Sequence, residues 1–253
     1  MPLKVVITGA SSGIGEALAR EYAKQGAVLG LIARRTEALA QLKDAIPTTC
    51  HIYPADVRDS QAMQLAAGDF IKQQGLPDVV IANAGISGGT LTDYPQDLEA
   101  FQAIHDTNFM GMVKTFQPFL AGMRGQRSGM LVGIASISGF RGLPGASAYS
   151  ASKAAAISYL ESLRVELHGS GVRVLTVCPG YIATPMTANN PYPMPFIISA
   201  EAAAKKIISA IALRRKFLVI PWQMAILGRI LKILPLWLYD WGFSRAPRKP
   251  RSP

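Results

Sequence analysis

Cysteine is nearly absent. Cys50 and Cys178 are the two thiols in 253 residues, which excludes a disulfide framework and suits a reducing compartment. Each sits in an apolar or β-branched run, where a thiol packs as a small hydrophobe. Histidine is equally scarce: His51, His105 and His168 lie far apart without metal-ligand spacing and read as surface or packing residues. No apolar run reaches the roughly 18 to 20 residues of a membrane span. At the start, Met1 to Lys4 passes straight into VVITG, without the charged and then apolar regions of a signal peptide. The expectation is a cytoplasmic protein. Residues 1 to 213 contain no linker, repeat or charge block, and 49% apolar residues are enough for one sizeable core.

Acid is also short. Sixteen Asp and Glu face 26 Lys and Arg, a formal charge of +10, which raises nucleic acid, an anionic membrane or an acidic ligand as partners. The imbalance is local. From Arg214 onward there are nine basic residues and one acid, Asp240, and the same stretch holds Trp222, Trp237 and Trp241. The chain is a nearly neutral body with a basic, aromatic end.

Within the body, short β-branched runs alternate with longer helical patterns, the mark of successive βα units on a parallel sheet. Strands are expected at Lys4–Thr8, Ala27–Ala33, Cys50–Pro54, Val79–Asn83, Gly129–Ala135, Val172–Cys178 and Phe217–Ile220. Helices are expected at Gly15–Lys24, Thr36–Ala45, Ser60–Gln73, Leu98–Met123, Ala148–Leu167 and Ala200–Leu213. The fold class is therefore α/β: a single-domain, doubly wound, seven-stranded parallel sheet with helices on both faces, over residues 1–220. Pro185 to Ser199, with four prolines, Met186, Tyr192, Met194 and Phe196, reads as a long apolar lid loop.

Three features carry chemistry. TGASSGIG, Thr8 to Gly15, ends the first strand and opens the first helix, so its glycines allow a tight turn and bring backbone N–H groups toward a pyrophosphate. At the end of the second strand stand Arg34 and Arg35, where a Rossmann unit that binds NAD presents an acid; guanidinium groups there favour the 2′-phosphate of NADP(H). Tyr149 and Lys153 share one helix face, so the ammonium is expected to lower the phenol pKa toward general acid–base work. Ser136 ends the fifth strand at the same carboxyl edge.

TGASSGIG, Asn83-Ala84-Gly85, Asn108, Ser136, YSASK and Pro179-Gly180 occur in order, and with them the chain resembles the short-chain dehydrogenase/reductases over about residues 3 to 220. The resemblance implies that Tyr149 exchanges the hydroxyl proton while a hydride moves at the nicotinamide. It also implies that Lys153 lowers the Tyr149 pKa and binds the nicotinamide ribose, and that Ser136 polarises the substrate oxygen. Asn108 would hold a water through its helix backbone and complete a proton relay. For the cofactor it implies Gly9, Ser11, Ser12, Gly13, Ile14 and Gly15 at the phosphates, Arg34 and Arg35 at the 2′-phosphate, and Asp56 and Val57 at adenine. Asn83, Ala84 and Gly85 would line the ribose side, with Pro179, Gly180, Ile182 and Thr184 near the nicotinamide. Some members that use NADP carry a basic residue before the second motif glycine; this chain has Ser12, so the phosphate reading rests on Arg34 and Arg35. The helices about 98–123 and 148–167 would form a homodimer, with a tetramer as a further option.

Two functions follow as expectations. One is an NADP(H)-dependent oxidoreductase acting on an apolar ketone or secondary alcohol. The other is a catalytically silent NADP(H)-sensing or membrane-associated protein, against which the intact Asn108, Ser136, Tyr149 and Lys153 set argues.

The extension, residues 221–253, reads as amphipathic. On a helical wheel from Trp222 to Leu234, Met224, Ile226, Leu227, Ile230, Leu231, Ile233 and Leu234 fill one half, opposite Ala225, Gly228, Arg229 and Lys232. LWLYDWGF and the basic string SRAPRKPRSP follow. Such a segment either lies on an anionic membrane surface, making the protein peripheral on the inner face, or packs on its own domain or a second subunit and covers the cleft. Nucleic acid is not expected, because the cations sit among bulky aliphatics.

Overall fold

A computed structural model describes residues 1–188, 190, 192–245, 249 and 251. Two residues of the expected lid loop, 189 and 191, and six of the terminal basic string, 246–248, 250, 252 and 253, lie outside that description. Seven strands form one parallel sheet: β1 (Lys4–Thr8), β2 (Val28–Ala33), β3 (Cys50–Pro54), β4 (Val79–Ala82), β5 (Gly129–Ile134), β6 (Val172–Pro179) and β9 (Phe217–Ile220). Their order is β3-β2-β1-β4-β5-β6-β9, so the winding reverses between β1 and β4. At such a switch point the loops leaving the two strands diverge and open a crevice at the carboxyl edge.

Alternation along the strands feeds two cores. Val5, Ile7, Val79 and Ile81 point to one face and pack with Leu18 and Tyr22 of α1 (Gly13–Lys24), Leu39 of α2 (Thr36–Asp44) and Ile207 of α7 (Ala200–Ala212). Val6, Val80 and Ala82 point to the other, against Phe70 of α3 (Ser60–Gln74), Phe116 and Phe119 of α5 (Gly111–Gly125) and Leu160 of α6 (Ser147–Glu166). Burial on both faces explains why the strands are almost wholly apolar. Gly133 of β5 is small for a steric reason, since a Cβ there would come 2.4 Å from Leu160 Cδ1.

The continuous helix expected over Leu98–Met123 is interrupted. α4 (Asp97–His105) passes through a π-helical stretch, Asp106–Met110, before α5 begins. The Gly111 N–H reaches back to the Asp106 carbonyl, a five-residue step that a sequence period of 3.6 does not reveal. The lid loop is tied at its base: β7 (Ile182–Ala183) pairs in parallel with β8 (Ile198–Ser199), a two-residue ladder not anticipated from sequence.

Two helices follow β9, α8 (Trp222–Ile233) and α9 (Leu236–Phe243). Here Gly228, expected on the polar arc, is buried instead. Met224 and Gly228 are the buried positions of α8, while Ile226, Leu227, Ile230 and Ile233 are exposed. Packing proceeds by close approach rather than through the bulky apolar half: a Cβ on Gly228 would lie 2.6 Å from the Phe140 ring, and Met224 crosses Gly180. Arg141 caps the end of α8, donating through Nη1 to the carbonyls of Leu231 and Leu234 at 2.8 Å each, and its guanidinium stacks 4.2 Å from the Tyr239 ring centroid. The Tyr239 hydroxyl donates to the Gly142 carbonyl. Among the described residues no helix is long and apolar enough to cross a membrane.

Side-chain caps start some of these helices. The Asp59 carboxylate accepts from the N–H groups of Gln61 and Ala62 at 2.9 and 3.1 Å, satisfying two donors at the head of α3. Asp59→Ala should lower unfolding free energy by about 1 kcal/mol, as read from urea denaturation. An unchanged midpoint would show that solvent serves the helix end equally well.

Candidate active site

One cleft runs along the carboxyl edge of the sheet over the switch point. It is lined by the first glycine turn, the ends of β2 and β3, residues 83–86, Ser136, Tyr149, Lys153 and the segment after β6. Every residue expected from sequence to bind cofactor or substrate lines it except two. Gly15 is packed behind the turn, where a Cβ would stand 2.3 Å from the Gly9 carbonyl oxygen; it lets α1 close on β1 rather than facing the cleft. Asn108 is wholly buried one layer back.

Gly9 and Gly13 have φ of 66° and 56°, conformations that L side chains rarely adopt. A Cβ on Gly9 would also meet Ala84 Cα at 2.7 Å, so this turn and the start of the 83–86 segment approach each other closely. α1 begins without a side-chain cap, because Ser12 makes no such bond. Its N-terminus therefore opens on the cleft as an anion cradle. Across from it, a Cβ on Gly13 would be 3.1 Å from Thr184 Cγ2. Thr184 is held by Thr187, whose hydroxyl accepts from the Thr184 N–H at 3.1 Å and donates to the Ile182 carbonyl at 2.6 Å. These features fit a dinucleotide pyrophosphate.

At the β2 end the two arginines differ. Arg35 grips the glycine turn, Nη2 donating to the Ser11 carbonyl at 2.9 Å and to its hydroxyl at 3.1 Å. Arg34 is freer, its Nη1 3.9 Å from Asp56. The Asp56 carboxylate is engaged mainly by Arg58, at 2.7 Å, which holds its pKa below the usual carboxylate range. Val57 is buried, with Gly111 close against it.

The other half of the cleft is set by β5 and α6. Ser136 accepts from the Ser138 N–H at 3.1 Å and is 3.5 Å from the Pro179 carbonyl oxygen. Lys153 is buried and donates to the Ile134 carbonyl at 2.8 Å; loss of water around the amine brings its pKa down to about 8. Asn108 joins two segments, its Oδ1 accepting from the Ile86 N–H at 2.8 Å and its Nδ2 donating to the Ile86 carbonyl and the Ser152 hydroxyl at 3.0 Å each. The Ser152 hydroxyl in turn donates to the Tyr149 carbonyl at 2.8 Å.

One expectation is reversed. The Lys153 amine lies 5.8 Å from the Tyr149 ring centroid, and desolvation dominates: the phenol pKa is pushed up, with the Ser136 hydroxyl acting in the opposite sense. The phenol is thus held as a proton donor. Cys178, beside these groups, is buried and pushed up to about 12, which makes it an unreactive packing thiol. The three histidines form no metal-ligating group among the described residues.

Sequence reasoning missed Ile86, Thr107, Met186 and Thr187 on the cleft wall; only the place of Thr107 beside Asn108 offered a signal. It also missed a strap. Arg251 makes a bidentate pair with buried Asp97, with contacts of 2.8 to 3.1 Å, and stacks 3.6 Å from the Tyr94 ring centroid. Lys249 donates to the Ser87 hydroxyl at 2.9 Å, so the strap borders the segment that carries Ile86.

The profile of the short chain dehydrogenase family matches residues 3–193. An uncharacterized oxidoreductase of Myxococcus xanthus is 38% identical over 93% of this chain and 94% of its own length. The 11-beta-hydroxysteroid dehydrogenase 1A of Arabidopsis thaliana is 32% identical over 94% of this chain and 73% of its own. Among solved structures, a short chain dehydrogenase from Burkholderia cenocepacia in complex with NADP superposes with a TM-score of 0.83 at 25% identity, covering 95% and 97% of the two chains. A doubly wound sheet with a glycine turn at its switch point defines a dinucleotide-binding protein. The chain belongs to the short-chain dehydrogenase/reductase family, whose members use NAD(P)H.

The strap yields a pH test. The Arg251 guanidinium holds the Asp97 carboxyl below its ordinary range. A depressed native pKa adds stability above the unfolded pKa, and that stability is lost as pH falls through the native value. The stability gap between wild type and Asp97→Asn should therefore be constant above about pH 5 and shrink on further acidification, measured by denaturant unfolding. A gap independent of pH would remove the ion pair from the account.

Proposed function

We propose that the protein is an NADP(H)-dependent carbonyl reductase, or the reverse alcohol dehydrogenase, for an apolar ketone or secondary alcohol. The observation that carries this reading is the meeting of Ser136, Tyr149 and Lys153 at one end of a cleft whose other end is the glycine turn with Arg34 and Arg35. When bound, the nicotinamide supplies or accepts the hydride. Tyr149, kept protonated by its surroundings, gives its phenolic proton to the carbonyl oxygen during reduction and takes it back in the reverse direction. Ser136 donates a hydrogen bond to the same oxygen and fixes its place. Lys153, its pKa brought down to about 8 by burial, would hold the nicotinamide ribose and return a proton to Tyr149. Asn108 positions the Ile86 and Ser152 side of the site and connects Lys153 to solvent by a water on its helix backbone.

Arg34 and Arg35 supply the 2′-phosphate contact, and the NADP in the Burkholderia cenocepacia structure accords with that choice. The apolar substrate is supported by the lid, where Met186 lines the cleft and Phe196 and Ile197 are exposed, and by the steroid-directed name of the Arabidopsis relative. A homodimer through α4, α5 and α6 completes the reading.

Tyr149→Phe should reduce NADPH-linked ketone turnover by roughly 100- to 10,000-fold while NADPH binding, followed by fluorescence titration, is retained. Undiminished turnover would sink the assigned role. Replacing Arg34, the arginine not engaged with the glycine turn, by Ala should raise the KM for NADPH roughly tenfold or more, with little change for NADH, because a charge-assisted contact to the 2′-phosphate is worth about 1.5–3 kcal/mol. Equal effects on both cofactors would place Arg34 elsewhere in the binding mode.

A further inference from the structure

The two C-terminal helices turn the wrong way for a helix that merely covers the domain. α8 is held by Met224 and Gly228, so the opposite pole of its wheel carries Trp222, Ile226, Ile230 and Ile233, between 47% and 80% exposed. On α9, Tyr239 is buried and stacks on Phe243, while Leu236, Trp237 and Trp241 are between 71% and 77% exposed. Seven large apolar side chains on two consecutive short helices are far more than the scattered exposure of an ordinary surface, and patches of this kind mark interaction sites.

We propose that this face docks in the plane of an anionic lipid bilayer. Charge selects the occupant. From Arg214 to Arg245 the chain carries six cations and one acid, and Arg214, Arg215, Lys216, Arg229, Lys232 and Arg245 are all exposed. Arg229 borders the apolar pole of α8, and Lys232 stands further round the same helix. A second copy meeting the same face would bring like charges together around the contact, which opposes pairing. Anionic headgroups complement them, at about 1 kcal/mol per cation near the surface. Tryptophan suits that depth, because its ring is apolar and its N–H can stay hydrated. Neither helix can span the bilayer, so the binding is in-plane.

The inner side of α8 touches the cleft wall through Met224 on Gly180, and α9 is tied beside it by the Tyr239 hydroxyl donating to the Gly142 carbonyl. An apolar substrate dissolved in the bilayer would therefore lie beside the site that consumes it. The docking surface nevertheless stands apart from the catalytic reading and does not depend on Tyr149.

All three tryptophans of the chain lie in this segment, so intrinsic emission reports on this face alone. The full-length protein should co-sediment with phosphatidylcholine vesicles containing phosphatidylglycerol and shift its emission to the blue, both effects weakening at high salt. Vesicles of phosphatidylcholine alone should bind much less. Trp237→Ser with Trp241→Ser should lower partitioning at least tenfold, and Arg229→Gln with Lys232→Gln roughly tenfold to thirtyfold on the anionic vesicles. These side chains are exposed, so circular dichroism and melting should be unaffected. Failure to bind the anionic vesicles overturns the proposal. So does self-association in dilute, lipid-free solution that already shifts the emission to the blue and is abolished by the tryptophan substitutions, which would make the face a contact with a second copy.

Discussion

Thr8 and Asn83 form the joint on which the cleft depends. The Thr8 hydroxyl accepts from the N–H groups of Asn83 and Ala84 at 3.1 and 3.3 Å, and the Asn83 amide donates to the carbonyls of Thr8 and Gly9 at 3.0 and 3.2 Å. These bonds pin the ends of β1 and β4 together where the sheet reverses its winding, the place at which two diverging loops would otherwise leave buried polar groups unmatched. Because the joint is so close, Gly9 and Gly15 have no room for a side chain. The anion cradle of α1 and the wall that continues to Gly85 and Ile86 are therefore one rigid unit.

From that unit Ser136, Tyr149 and Lys153 are placed by packing rather than by mutual attraction. Lys153 is anchored to the Ile134 carbonyl on β5, the strand that ends beside Ser136, and Gly139 lets the turn after Ser136 lie directly on the α6 backbone, where a Cβ would come 2.7 Å from Lys153 carbonyl carbon. One strand and one helix thus fix three side chains, and the low dielectric they share moves the amine down and the phenol up. Both shifts have one leading cause, desolvation, and each moves its group toward its uncharged form.

Much of this was legible in the sequence. Successive βα patterns gave seven strands whose ends were right to within one or two residues, and motif spacing brought Ser136, Tyr149 and Lys153 to one edge. What failed has physical reasons. The helical wheel put Gly228 on the polar arc, whereas its missing side chain lets Phe140 approach and buries it. The Tyr149 expectation weighed a neighbouring charge and omitted desolvation. Arg251 pairs with Asp97 across 154 residues, a contact for which neither spacing nor periodicity leaves a trace. Gly15 shows that a motif residue can be required for packing rather than for contact.

The π-helical stretch at Asn108 has a further meaning. A π turn is what an α-helix becomes when one residue is inserted without changing its two ends, and its surplus residue gives up regular hydrogen-bond geometry. In genetic terms the Asp106–Met110 segment stands one codon away from an ordinary helix that would be the simpler structure. That codon offsets the phase of α5 from α4, with Ile104 buried before it and Met112 and Phe116 buried after it. Losing it would turn Asn108 away from Ile86 without altering any residue of the site, a route by which such an enzyme could fall silent with every motif intact.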